Sequence, residues 1–281
     1  MLSETQLEET LQALAQNDFQ PSDQDVVSGI LPDMLNHIGS TNSTLRDDLI
    51  YSAFCAWIPD HINGPEQLRA ILSTVLDDQH LFYRIGEQNT DSVFTRSFSV
   101  LLLPLLLSTH RSQPFLTTAE IFEVKEKLLR YIGSEKDRRG FVAGKGWAHA
   151  MAHTADALDD LVQCSELGKS DLTEILDVIR GMICITDMGY IFSEEERITT
   201  AVIAVIRRRL LSDQEITDWI QGFDACTKRV NTYPEKIIIR TNVKNFLQSL
   251  YFRLRWGQVT DKYDAALIDA LQEINPFSKI G

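Results

Sequence analysis

The chain is poor in cysteine, in basic charge and in long apolar runs, and each shortage removes a class of protein. Its four cysteines, Cys55, Cys164, Cys184 and Cys226, are dispersed among 281 residues and form no C-x-x-C pair. That spacing excludes a disulfide framework and a cysteine zinc site. Each falls in an apolar-periodic segment, where a reduced thiol acts as a small buried hydrophobe. Lys and Arg number 27 against 40 Asp and Glu, a formal net charge of −13. Phosphate binding relies on basic surface, so no nucleic-acid partner is expected. The longest apolar run, Val100 to Leu107, contains Pro104 and is far shorter than the roughly 20 residues of a membrane span. The N-terminus lacks the basic region and apolar core of a signal peptide. A soluble, cytoplasmic protein with no membrane partner is the expectation. Low-complexity tracts and Pro/Gly/Ser-rich linkers are missing too, so a single domain over 1–281 is expected.

What is present is helical periodicity from end to end. Leu7, Leu11 and Leu14 form the first apolar stripe. Pro65 stands where a first helical turn tolerates proline, ahead of Leu68, Ile71, Leu72 and Val75. Capping boxes read at Thr117…Glu120, Ser193…Glu196 and Ser212…Glu215, a hydroxyl and an acid three residues apart satisfying orphan N–H groups. The β-branched run Ile237-Ile238-Ile239 continues into Val243, Phe246, Leu247 and Leu250 at helical spacing and reads as a buried helix. Strand-like alternation is scarce. Pro32 and Pro104 fall inside helical patterns, which they should kink or split. The periodic segments give about twelve helices, starting near residues 3, 22, 43, 65, 91, 117, 145, 170, 193, 212, 234 and 260. Paired, they make units of about 40–50 residues, the range of HEAT-type repeats. The expected fold is all-α, a HEAT-like right-handed α-solenoid of antiparallel helix pairs. A compact helical bundle or an α/α ring would read similarly.

Polar residues break the pattern most from Glu135 to Leu161. Gly133, Gly140, Gly144 and Gly146 punctuate a loop that leads into a helix expected to begin near Lys145. At about 100° per residue, Lys145, His149, His153, Asp156 and Asp160 share one stripe. Trp147, Met151, Leu158 and Leu161 fall opposite and should face the core. Three chemistries could use the stripe. His149, His153 and Asp156 are spaced to share a divalent metal, with Glu194, Glu195 or Asp91 as a further ligand. His153 and Asp156 could form an orienting pair for acid/base work. The Gly144-Lys145-Gly146 entry, with Arg138 and Arg139 upstream, could hold an anion at a helix N-terminus. A solvated helix face is the plain alternative.

Asp91 reads as an N-cap, and Arg96, among apolar neighbours, would need a carboxylate partner if buried. Arg46-Asp47-Asp48 precedes another apolar helix, where ion pairing or the helix dipole accounts for the charges. Glu194-Glu195-Glu196-Arg197 reads as a capped helix start, and Arg207-Arg208-Arg209 as a solvated C-terminal turn.

The run GKGWAHAMAHTADALDDL, Gly144–Leu161, resembles the GKGWAHAxAHxADxLDxL signature of an uncharacterised bacterial family, domain of unknown function 2785. The resemblance extends to LRDDLIYSAFCAWI at Leu45–Ile58, TDSVFTRSFSVLLL at Thr90–Leu103 and EEERITTAV at Glu194–Val202. It implies an all-helical bacterial protein and supplies no activity, so whether the chain is an enzyme stays open. Asp91, Arg96, Arg139, Lys145, Trp147, His149, His153, Asp156 and Arg197 are the expected ligand-binding residues. They would line a polar concave groove for a small anionic ligand or a protein partner. The alternative is a metal-dependent hydrolase built on His149, His153 and Asp156.

Overall fold

The computed structural model describes residues 1–21, 23–62 and 64–278. It is helical throughout, with one two-stranded exception, and divides into two compact units, Met1–Cys164 and Ser165–Gly281.

The first unit opens with α1 (Glu4–Ala15) and α2 (Gln24–Asn36). A start expected near residue 22 lies outside the described residues. A π-helical stretch, Thr44–Tyr51, runs directly into α3 (Ser52–Asp60). Then come α4 (Pro65–Val75), with proline in its first turn as expected, and α5 (Ser92–Ser112). Next are α6 (Thr118–Ser134) and, after a hairpin described below, α7 (Ala150–Val162). Helix α5 is the axis of this unit and packs against α3, α4 and α7. Among the described residues it alone is long and apolar enough to cross a membrane, yet 72% of its apolar window is buried inside the fold. Val93, Phe94, Leu102, Leu103, Leu106 and Leu107 are fully enclosed there.

The second unit holds α8 (Lys169–Ile183), α9 (Glu194–Arg208), α10 (Asp213–Gln221), α11 (Phe223–Lys228), α12 (Glu235–Trp256) and α13 (Asp264–Ile274). Helix α12 contains the isoleucine run and packs on α8, α9, α11 and α13. Trp219, Phe223 and Phe246 meet at its centre with ring centroids 5.0–6.0 Å apart.

Four local expectations need correcting. Of the two outcomes expected at Pro32 and Pro104, a kink or a split, the split does not occur: helices α2 and α5 run continuously through them. The boxes at Thr117…Glu120 and Ser212…Glu215 form, but Ser193 sits at φ 66°, ψ 26° and makes no side-chain cap. There the Glu194 carboxylate accepts from the Phe192 N–H instead, at 2.9 Å. Only Cys164 is buried; Cys55, Cys184 and Cys226 are half-buried. Finally, no helix begins at Lys145. Residues Phe141–Val142 (β1) and Gly146–Trp147 (β2) pair as an antiparallel hairpin, and α7 starts only at Ala150.

Candidate functional site

The hairpin owes its shape to glycine. Gly144 and Gly146 lie at φ +76° and +79°, in the left-handed region that other residues enter only with strain. The ladder continues past the strands, Ala148 N–H donating to Gly140 O and His149 N–H to Arg139 O. His149 itself is left-handed, at φ 49°, and its carbonyl takes the first bond of α7, from His153 N–H at 3.0 Å. This kink corrects the expected stripe. Lys145 and His149 precede the helix, so helical spacing does not align them with His153 and Asp156.

The aromatic side is also rearranged. Trp147 does not enter the core; it is 38% exposed, stacks on His149 at 4.6 Å and meets Phe141 edge-on at 5.2 Å. His153 is the buried member, 6% exposed. Its Nδ1–H donates to the Ser97 carbonyl at 3.1 Å, and its ring lies edge-on to Phe98. His149 and His153 are ring neighbours at 5.8 Å. Asp156 is half-buried further along α7. Among the described residues no group of three or more His, Cys, Asp or Glu is placed to hold a metal ion. The expected set His149, His153 and Asp156 is therefore not assembled, for the reason just given: the backbone turns between its first two members.

Arg96, Arg139 and Lys145 in the first unit are matched with carboxylates. Arg96 is fully enclosed and forks onto the equally enclosed Glu135, Nε to Oε2 at 2.6 Å and Nη2 to Oε1 at 2.9 Å. Its remaining N–H groups reach Tyr83 O, Arg84 O, Glu87 O and Ser92 Oγ. Burial alone would lower the Arg96 guanidinium, but Glu135 outweighs it and raises it. Glu135 also accepts from the Tyr131 hydroxyl and from the N–H groups of Lys136 and Asp137. Asp137 in turn clamps Arg139 at 2.7–3.1 Å, while Arg139 donates to Thr90 O. Lys145 bridges Asp91 at 2.7 Å with both side chains about half exposed, a weak surface pair. Asp91 thus stands at the α5 N-cap position but gives its carboxylate to Lys145 and caps no backbone N–H.

Arg46 completes the frame. It is fully enclosed and donates to Ser40 O and Lys145 O, and its guanidinium lies 4.3 Å from the Phe94 ring and 4.7 Å from Phe98. Its Nε faces Asp47 at 2.7 Å. Burial pulls Arg46 down and pushes Asp47 up, and their mutual attraction only partly counters either effect. Gly146 packs on this pair so closely that a Cβ would stand 2.7 Å from Ser43 Cβ and 3.0 Å from Arg46 Nη2. Arg46, Arg96 and Arg139 are accordingly scaffold for the hairpin and not an anion cradle. Arg197 lies in the first turn of α9, in the second unit.

Carboxylates crowd the far end of α7. Asp160 pairs with Arg111, whose Nη1 also reaches Asp160 O at 2.8 Å. Burial, then Asp160 and Asp156, push the Asp159 carboxyl up to about 6.

A cation-rich cleft lies elsewhere, where α9 and α12 end within the second unit. It encloses about 880 Å³ between Ile206–Asp213 and Gly257–Tyr263. Arg207 and Arg209 line it, and both are exposed. Among the described residues neither has an ion-pair partner. Lys262 pairs with Asp213 at 2.6 Å, and the Tyr263 hydroxyl donates to the same carboxylate at 3.0 Å. Those two bonds lower Asp213, while burial and Asp213 push Tyr263 up to about 12, keeping its proton in place. Arg209 and Gln258 are both left-handed, at φ 54° and 49°, and turn the chain at the rim. Arg207 and Arg209 do form the exposed end of α9 that the sequence predicts. The cleft needs two loops some fifty residues apart, and nothing local links them.

A family model described as a protein of unknown function, DUF2785, matches residues 81–252. That span includes the hairpin and α9 but not Leu45–Ile58. No curated protein and no solved structure matches the chain.

Proposed function

The chain belongs to the DUF2785 family of proteins of unknown function, a premise that carries no activity, and we propose from its own residues that it binds a small anionic ligand. The observation that supports this is the pair of unpartnered arginines, Arg207 and Arg209, lining a cleft in a chain of net charge −13. A plain alternative is that they only neutralise helix ends, each worth roughly half a negative charge. The charge count favours the ligand. Arg207, Arg209 and Lys262 against Asp213 leave a surplus of two positive charges. The C-termini of α9 and α12 together cancel about one. A net positive site of small-molecule size remains, within the roughly 300–1,000 Å³ of ordinary ligand pockets.

The groups suit a phosphate or carboxylate. Arginine offers a forked donor, and the Lys262–Asp213–Tyr263 chain fixes the floor. Helices adjacent in sequence pack against each other within each unit, α4 on α5, α8 on α9 and α12 on α13, which supports the HEAT-like reading of the helix pairs. Calorimetric titration with inorganic phosphate and with citrate tests the proposal. Each charge-assisted bond is worth about 1.5–3 kcal/mol, so R207Q/R209Q should weaken binding at least tenfold. Absence of saturable heat up to roughly 10 mM anion, or an unchanged double variant, overturns it.

A protein partner at the hairpin is the second reading. Phe141 and Trp147 are 52% and 38% exposed on a turn held by buried ion pairs, a costly way to carry two bare aromatics. The metal-dependent hydrolase is not retained, since its three ligands are not assembled.

A further inference from the structure

The acids of this chain are unevenly spread. Residues 1–80 hold thirteen Asp and Glu against two Arg and no Lys. Neither arginine is available to balance them: Arg46 is enclosed and faces Asp47, and Arg69 pairs with Glu120 at 3.0 Å. Within that acidic stretch α2 and α4 leave an open groove of about 330 Å³. Leu31 and Leu35 of α2 and Ile71 of α4 form its apolar floor, and the exposed Pro32 and Ala70 stand on its two walls. Gln67 Nε2 spans the walls, donating to Ser28 Oγ at 3.4 Å.

Carboxylates frame the groove. Asp25 lies one turn before Ser28, and Glu66 precedes Gln67 at the start of α4. Asp77 and Asp78 follow the other end of α4, where Asp77 N–H donates to Thr74 O at 3.1 Å. Asp77 holds His80 at 2.8 Å. Asp25, Glu66 and Asp78 are exposed, and none has an ion-pair partner among the described residues. Pro32 adds a neutral acceptor. Proline carries no N–H, so the Ser28 carbonyl loses the helical donor that would stand four residues on. Both residues line the groove.

We propose that the α2–α4 groove docks a basic amphipathic helix of a protein partner. Its apolar side chains sit on Leu31, Leu35 and Ile71, and its lysines or arginines lie among Asp25, Glu66 and Asp78. The floor alone would take any apolar body; the rim charges select among them. An anionic membrane, a nucleic acid or an acidic segment meets like charge there, whereas a basic segment is drawn in. The Ser28 carbonyl suits the same partner, since ammonium and guanidinium groups donate and do not accept. The walls run from Ser28 to Asn36 and from Gln67 to Thr74, about 12 Å of helix. That length holds side chains at i, i+4 and i+7 of a docked helix, the spacing by which amphipathic helices enter grooves. The groove is independent of the anion cleft and of the hairpin, and its failure would leave both readings untouched.

The test uses the full chain and three labelled synthetic peptides of one length, read by fluorescence anisotropy. The first carries Leu at i, i+4 and i+7 and Lys on its other faces. The second replaces each Lys by Glu, and the third keeps every Lys but replaces each Leu by Ser. The first should bind saturably and at least about tenfold more tightly than either of the others. A70W fills the groove from an exposed wall position and should weaken the first peptide by about tenfold or more. D25N/E66Q removes two rim charges and should weaken it about fivefold, with a shallower dependence on salt. Both variants alter exposed side chains, so their melting midpoints should match wild type. R207Q/R209Q should bind the first peptide as wild type does. Equal binding of the third peptide would reduce the contact to unspecific charge, and equal binding of the second would remove the carboxylates from it. Unchanged affinity in A70W would put the peptide elsewhere on the surface. Each of these overturns the proposal, as does a wild-type dimer that A70W dissolves in sedimentation, which would give the groove to a second copy of the chain.

Discussion

Replacing Glu135 with glutamine should destabilise the first unit by an amount that a solvent-exposed ion pair cannot reach. Glutamine keeps the shape, and its carbonyl can still accept from Lys136 and Asp137. What it removes is the charge opposite Arg96, and it turns an NH₂ toward a guanidinium that has no solvent contact. Taking one partner from a buried pair costs about 3–5 kcal/mol, because the other is left charged and enclosed. For a unit of this size, Met1–Cys164, each kcal/mol lowers the midpoint by about 2–4 °C, so the loss should be roughly 6–20 °C. Differential scanning calorimetry of wild type and E135Q reads it directly. The double variant R96M/E135L removes both charges, so it should lose less than the two single changes together, by more than about 1 kcal/mol. A shift in E135Q below about 1 kcal/mol, or strict additivity in the double variant, would show that Arg96 escapes burial and that the frame around the hairpin is misread.

Other outcomes follow from neighbouring groups. K145A breaks only the half-exposed bridge to Asp91 and should cost under about 1 kcal/mol in the same calorimeter. G144A meets open space and should cost about 1 kcal/mol of left-handed strain. G146A adds a clash with Ser43 and Arg46, so it should cost about 2–4 kcal/mol, and equal losses in the two variants would refute the packing. Asp159 is raised from 3.8 to about 6 in the fold, so the native state holds its proton more tightly than the unfolded chain does. Its contribution is complete below 3.8 and is lost as pH climbs through about 6. D159N should therefore melt higher than wild type at pH 8 and nearly level with it at pH 4. The opposite order at pH 8 would refute the assigned burial.

Secondary structure is legible at most positions where its cause is local. Thr117 with Glu120 and Ser212 with Glu215 form the boxes their spacing predicts, and Ile237–Ile239 do continue as a helix, but only Ile239 joins Val243, Phe246 and Leu250 on the buried face, while Ile237 is exposed. Ser193 fails because its backbone is left-handed, at φ 66° and ψ 26°, where an N-cap takes the extended region. The hairpin departs from the expected helix because Trp147, Met151 and Leu158 fit a helical period only by coincidence. The better signal was present in Gly144 and Gly146, two glycines flanking a single lysine, with an aromatic on either side of the turn. The need of Arg96 for a carboxylate could be deduced from its apolar neighbours, but not that Glu135, 39 residues on, would supply it. Contact at that separation depends on how α5 and α6 are placed, which periodicity does not encode.

The same distinction separates the charges that hold this fold from those open to a ligand. Arg46 and Arg96 stand among residues that bury them, and a buried guanidinium is tolerable only with its hydrogen bonds and counter-charge supplied by the chain itself. Such a cation is already committed, whatever motif it belongs to. Arg207 and Arg209 stand after the apolar face of α9 has ended, beside a backbone that turns left-handed and away from the core. Water satisfies them there, and water is readily exchanged for an anion. In a chain this acidic, the distant carboxylates repel an anion over many ångströms, but screening at physiological salt confines that repulsion to about 8 Å. Within that radius the cleft's own surplus decides. Anion affinity should therefore depend on Arg207 and Arg209 far more than on the overall charge of −13.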